Sequence, residues 1–163
     1  MKVARIVAGV ALLIAAWGVQ AKVRAPLAPP APALQDIVNA RQAAMVMSAV
    51  TLGAVRGAAA KPDSVKGAAF PARGLAKWAS ALPAMFPAST RNVSGTRAKP
   101  AIWTNQSDFD AKSGAFVAAT TALLAAAQAD DHAALTAAVE STAAACKACH
   151  DVYQVPPPPK PAG

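Results

Sequence analysis

The chain has 163 residues, with 16 basic and 8 acidic side chains for a net charge of +8, and 55% of it is hydrophobic. Two cysteines in that length exclude a disulfide-built scaffold, and the lack of any Lys/Arg run interleaved with aromatics argues against a nucleic-acid surface. The positive mean hydropathy comes largely from alanine and the N-terminal run, so it implies no membrane domain, and the spread-out charge steers an anionic partner at most.

Residues 1–21 read as a secretory signal. Lys2 and Arg5 form a basic start, an apolar run extends from Ile6 to Val19, and Val19-Gln20-Ala21 ends on a small residue. The run is short for a membrane span, so cleavage after Ala21 is favoured over an uncleaved anchor, and no membrane association is expected afterwards. About 140 residues then remain, enough for one domain with a single core. Residues 22–33, including Pro26, Pro29, Pro30 and Pro32, read as a flexible proline-rich arm. The domain proper is expected over residues 34–154.

A first helix is predicted from Leu34 to about Ala58 or Lys61. Leu34, Ile37, Val38, Arg41, Met45, Ser48, Leu52 and Val55 recur mostly at three- and four-residue intervals. Arg41 and Met45 are four apart and share a face. Met45 on its own reads as a gap-filling core residue. A second helix is expected from Pro62, with Asp63 or Ser64 as its cap, to Leu82 or Met85, and Pro71 should kink or break it. Residues 88–100 read as a surface loop. A third helix runs from about Ile102 to Ala129, with Ile102, Phe109, Phe116 and Leu123 recurring every seven residues beside the small Ser113 and Thr120. Asp130-Asp131 should turn the chain and cap a fourth helix to Tyr153. Leu135, Val139, Thr142, Cys146, Cys149 and Tyr153 form its inward side, and His132 reads as a solvated residue at its start. Residues 155–163 are a second proline-rich segment, expected to be disordered.

The chemistry is concentrated in Cys146-Lys147-Ala148-Cys149-His150, the pattern of covalent c-type haem attachment. Residues three apart on a helix share a face, so both thiols can reach the two vinyl groups of one porphyrin. His150 then follows as an axial iron ligand. Three other readings fit less well. A disulfide between cysteines three apart on a helix is geometrically poor. A thioredoxin-like pair wants a preceding strand, and residues 136–145 read as helix. A zinc site needs four ligands, and His132 is the only other histidine. With one haem c inferred, the thioether of Met45 acquires a role as a soft ligand. Export supports the motif, since this attachment takes place outside the bacterial cytoplasm. The fold class expected is all-α, an antiparallel four-helix bundle with a covalent haem c between facing helices. The core would otherwise be thin, with three Trp, four Phe and one Tyr in the whole chain.

The ordered set of motifs resembles class II c-type cytochromes, the cytochromes c′ and their low-spin relatives. It comprises Arg41-Gln42-Ala43-Ala44-Met45, Met85-Phe86-Pro87-Ala88-Ser89, Pro100-Ala101-Ile102-Trp103 with Phe109, and the terminal haem motif. The resemblance implies haem on Cys146 and Cys149, His150 as proximal ligand, and Arg41 against a propionate. It places Phe109 and Phe116 in packing contact with the haem and Met45 on the distal side. In low-spin members a methionine there is the sixth ligand; in cytochromes c′ the iron stays five-coordinate. Gln154 departs from the family, which commonly has a basic residue near the proximal face. The expected function is periplasmic electron carriage with His150/Met45 ligation, through redox partner proteins. The alternative is a five-coordinate cytochrome c′ binding nitric oxide or carbon monoxide. The resemblance also implies a possible homodimer through the first two helices. No acid, base or nucleophile cluster surrounds the motif, so no enzyme activity is expected.

Overall fold

A computed structural model of the chain describes residues 32–156. The signal segment, most of the proline-rich arm and the end of the tail lie outside these residues. Four long helices form the bundle: α1 (Leu34–Ala59), α2 (Ala69–Ala81), α3 (Gln106–Gln128) and α4 (His132–Tyr153). Substantial contacts run α1 to α2, α2 to α3, α3 to α4 and α4 back to α1, which closes an antiparallel ring. Alanines at 68, 72, 79, 126, 127 and 138 are buried along these seams. Side chains that small let helix backbones approach closely.

The expected core face of α1 is realised over Val38, Arg41, Leu52 and Val55, whereas Leu34 is exposed. The main core joins Leu52 and Val55 to Val65, Leu75 and Leu82 from the second segment. Phe116 and Leu123 enter it from α3, Leu135 and Val139 from α4. Two buried hydroxyls return to their own helices. Thr120 donates to the Phe116 carbonyl at 2.9 Å and Thr142 to that of Ala138 at 2.8 Å, so neither leaves an unsatisfied donor in the core.

The second segment begins differently from expectation. Residues Pro62–Ala68 form a 3-10 helix whose N-cap is Lys61, without a side-chain cap, so neither Asp63 nor Ser64 plays that part. Proline at the first position suits an amide that has no helical partner. Pro71 falls within the first turn of α2, just after the change from 3-10 to α geometry. That change takes the place of a kink, because the carbonyl a proline amide would otherwise have engaged already lies in the tighter helix. A further 3-10 turn, Leu82–Met85, ends the segment.

The third helix is divided. A short turn, Ala101–Thr104, precedes Asn105, whose φ of −128° and ψ of 60° leave the helical region, and α3 starts at Gln106. The Asn105 carbonyl accepts from the Phe109 amide at 3.1 Å and from the Tyr153 hydroxyl at 3.3 Å. The heptad nevertheless survives the break: Ile102, Phe109, Phe116 and Leu123 are all buried. Asp131 caps α4 by accepting from the Ala134 amide at 2.9 Å. His132 opens α4 as expected but is not a solvated side chain. Its Nε2 pairs with the Ala59 carbonyl at 2.8 Å, satisfying a free acceptor at the C-terminus of α1.

A satellite cluster of Ile102, Phe109 and Tyr153 closes the other end of the bundle with Phe86, Trp103 and Cys149 against it. Phe109 stacks edge-on with Phe86 at 5.2 Å and with Tyr153 at 5.5 Å between centroids. The Tyr153 hydroxyl donates to Asp108 at 2.6 Å. Burial, then the hydrogen bond to Asp108 and that carboxylate's charge, push the Tyr153 phenol up to about 12. Asp108 is held below the ordinary carboxylate range by the Tyr153 hydroxyl first and by Lys112 second. The fold therefore favours the neutral phenol. Its contribution is complete below the unfolded value of about 10 and is lost as pH climbs through the raised one. Tyr153 is the only tyrosine in the chain, so isotope-labelled tyrosine gives one ring resonance. Its titration should have a midpoint near 12, and in Asp108→Asn the midpoint should fall back toward about 10.

Candidate haem site

The last two turns of α4 carry the motif. Cys146 and Cys149 are free and half-buried, and His150 follows at the more exposed edge. Both cysteines and His150 open onto one cleft with two lobes, of about 500 and 280 Å³. The lobes share Met45 and Ala49 from α1, Leu82, and Cys149 and His150 from α4. Arg41, Phe86, Arg97, Phe109 and Tyr153 bound the larger lobe; Trp78, Ser113, Phe116 and Cys146 bound the smaller.

Each side chain singled out in the sequence thus reaches the cleft, but not all in one place. Arg41 and Phe109 belong to the larger lobe and Phe116 to the smaller, while Met45 and His150 line both. Met47, two residues after Met45, is 60% exposed and lines neither lobe. Phe86, Trp78, Ser113 and Arg97 also line the cleft, although the sequence did not mark them as site residues and Ser113 read only as a small residue of a helix seam. Trp78 was readable only as core, and Arg97 only as part of a polar loop.

The electrostatics bear on what the cleft can hold. Burial raises both thiols, and Cys149 is raised further by its neighbour Cys146. A redox Cys-X-X-Cys pair needs the opposite shift. Arg41 is 3% exposed, and its guanidinium meets only neutral acceptors: the Met85 carbonyl at 2.8 Å, Thr90 Oγ1 at 3.3 Å and Thr96 Oγ1 at 2.9 Å. It also lies 4.4 Å from the centre of the Phe86 ring. Among the described residues no carboxylate pairs with it within 4.0 Å, and desolvation lowers its pKa. A buried cation of this kind is costly until an anion joins it. In the smaller lobe, Trp78 Nε1 and Ser113 Oγ are buried without hydrogen-bond partners. An apolar cleft with paired thiols and an imidazole on one helix, a lone buried cation and two orphaned polar atoms fits a porphyrin that carries carboxylates.

A four-helix bundle whose last helix presents Cys-X-X-Cys-His to such a cleft is a c-type cytochrome of the four-helix class. The family described as cytochrome c′ matches residues 36–154, and the chain belongs to it. Its cofactor is accordingly one covalent haem c with iron. A cytochrome c′ from Rubrivivax gelatinosus is 42% identical over 69 residues, which is 42% of this chain and 54% of that protein. The matched stretch is 56% of the relative from Rhodospirillum rubrum, so the chain spans little over half the length of these relatives. Solved structures are covered more fully. The R. gelatinosus cytochrome c′ superposes with a TM-score of 0.69 at 33% identity, covering 74% of this chain and 96% of that one. The nitric oxide complex of a cytochrome c′ variant from Alcaligenes xylosoxidans gives 0.66 at 31% identity, over 77% and 98%. The described residues contain no helix long and apolar enough to cross a membrane.

The buried guanidinium yields a measurable expectation. Arg41→Met removes three hydrogen bonds that tie α1 to residues 85–96. Urea unfolding of the haem-loaded protein should show a loss of roughly 1.5–3 kcal/mol, the scale of hydrogen bonds to a charged group.

Proposed function

We propose that this chain is a periplasmic haem protein of the five-coordinate kind, which takes up nitric oxide or carbon monoxide on the distal side. It is not an enzyme on this reading. The carrying observation is the cytochrome c′ family match over residues 36–154, since the cleft itself, lined by both Met45 and His150, suits either coordination. The nitric oxide complex of the A. xylosoxidans relative supports an open distal position. In this reading Cys146 and Cys149 hold the porphyrin as thioethers and His150 supplies the proximal nitrogen. Arg41 meets a propionate, for which its uncompensated charge is suited, and Phe109 and Phe116 pack the two sides of the cleft. Bound haem supplies an iron that changes oxidation state and accepts a small neutral ligand.

The chain's own side chains set the terms. Met45, Leu82 and Ala49 keep the shared part of the two lobes apolar, which excludes water and favours neutral ligands over anions. The covalent links would fix the haem on α4, where His150 directly follows the second of them. A second reading retains electron carriage with His150/Met45 ligation and redox partner proteins. Its support is the presence of Met45 with His150 among the residues that line both lobes, which would offer a thioether as a sixth ligand.

The spectrum of the purified exported protein separates the two. Five-coordination predicts broad high-spin bands that sharpen with nitric oxide, and Met45→Ala should remain high-spin while binding carbon monoxide more tightly. Sharp ferrous bands with a weak ferric sulfur-to-iron absorption, converted to high-spin in Met45→Ala, would instead establish the second reading. A protein without a Soret band after export through intact attachment machinery would refute both.

A further inference from the structure

His150 has a charged neighbour that its own helix does not supply. One turn beyond it stands Gln154, which is neutral, and its amide donates to the His150 carbonyl at 3.0 Å. The loop before α3 turns back along this end of α4. Ala98 pairs antiparallel with Gln154, the Lys99 amide donates to the Tyr153 carbonyl at 2.9 Å, and the Val155 amide donates to the Arg97 carbonyl at 2.8 Å. The Arg97 side chain locks the same strap. Its Nε and Nη2 donate to the Val155 carbonyl at 3.1 and 2.8 Å. That acceptor is neutral, and among the described residues no carboxylate lies within 4.0 Å of the guanidinium. Arg97, Gln154 and His150 line the same lobe.

We infer that Arg97 is a positioning residue that holds a fixed positive charge beside His150 and thereby sets the redox balance of the site. The inference rests on the reading of His150 as the proximal ligand. The geometry is purposeful in a specific sense. Two donors on one carbonyl restrain the guanidinium, so its charge cannot swing into solvent as that of a single-bonded lysine can. Arg97 faces the same lobe as His150, and the carboxylate next to that histidine is Asp151. A cation held there disfavours the oxidised iron, which carries one more positive charge than the reduced form, and it draws electron density from the imidazole. Asp151 cannot cancel it fully, because that carboxylate is engaged by Lys147 at 2.6 Å.

The test uses the haem-loaded protein with three variants, reading thermal unfolding and midpoint potential by spectroelectrochemical titration. Arg97→Gln and Arg97→Lys both lose the double donation to Val155, so both should unfold at lower temperature. Only Arg97→Gln should shift the potential downward, with Arg97→Lys restoring most of the shift. Gln154→Glu leaves the strap side chain in place but pairs its charge, and it should also lower the potential if Arg97→Gln proves too unstable to purify. An unmoved potential in Arg97→Gln, or equal shifts in the Gln and Lys variants, would overturn the assignment of the charge to Arg97. So would an unmoved potential in Gln154→Glu. In each of those cases haem is still bound, which distinguishes them from failure of the functional reading. A wild-type protein that holds no haem, or whose iron is not bound by His150, would overturn that reading and this inference together.

Discussion

A guanidinium buried among neutral acceptors is the interaction on which the site end of this bundle depends. Arg41 reaches from α1 to the Met85 carbonyl and to the hydroxyls of Thr90 and Thr96, and it caps the Phe86 ring. Residues 85–96 have little regular structure of their own, so these bonds are what orders them against α1. Gln42 adds a bond to the Gly95 carbonyl at 2.8 Å, at a residue whose φ of +74° belongs to glycine. The net charge left over finds no carboxylate within the described residues. Burying it without an anion would be unfavourable, so the same side chain that orders the loop also selects a carboxylate-bearing guest.

The bundle divides its work along its length. Toward the turn between α3 and α4, alanines and leucines close the core, and His132 ties α4 to the last carbonyls of α1. Toward the motif the two lobes of the cleft open, with Phe86, Phe109 and Tyr153 bounding one and Trp78 and Phe116 the other. Trp78 Nε1 and Ser113 Oγ are left without partners there. Unsatisfied polar atoms are normally rare in buried positions, and their concentration at one lobe follows if the packing partner at that end is the haem rather than protein.

Much of this was legible in the sequence because it is local or periodic. The heptad from Ile102 to Leu123 identified the buried stripe of α3 even across the break at Asn105. The Asp131 cap followed from chemistry within one turn. The motif itself announced the cofactor. What escaped was long-range. The hydrogen bond from Tyr153 to Asn105 spans the break in the third helix, and the His132–Ala59 pair joins elements far apart in the chain. Arg97 is the clearest case. As one of several basic residues in a polar loop it carried no signal, and only the antiparallel return of Ala98 along Gln154 brings it to the lobe that His150 lines. Gln154 was readable as a departure from the family, but where a compensating charge would come from was not.

These long-range contacts converge on one segment. Residues 85–99 are bolted to α1 through Arg41 and Gln42, and to the end of α4 through Arg97 and Lys99. Met45 lies one turn beyond Arg41 on α1, and His150 lies one turn before the strapped end of α4. The two candidate axial residues are therefore positioned by opposite edges of the same loop. Neither helix can advance on the cleft without straining the segment to which the other is also bonded. Close packing makes such an arrangement resist gradual adjustment, so the reach of Met45 toward the iron is set less by the flexible thioether than by how rigidly residues 85–99 hold α1 and α4 at their spacing.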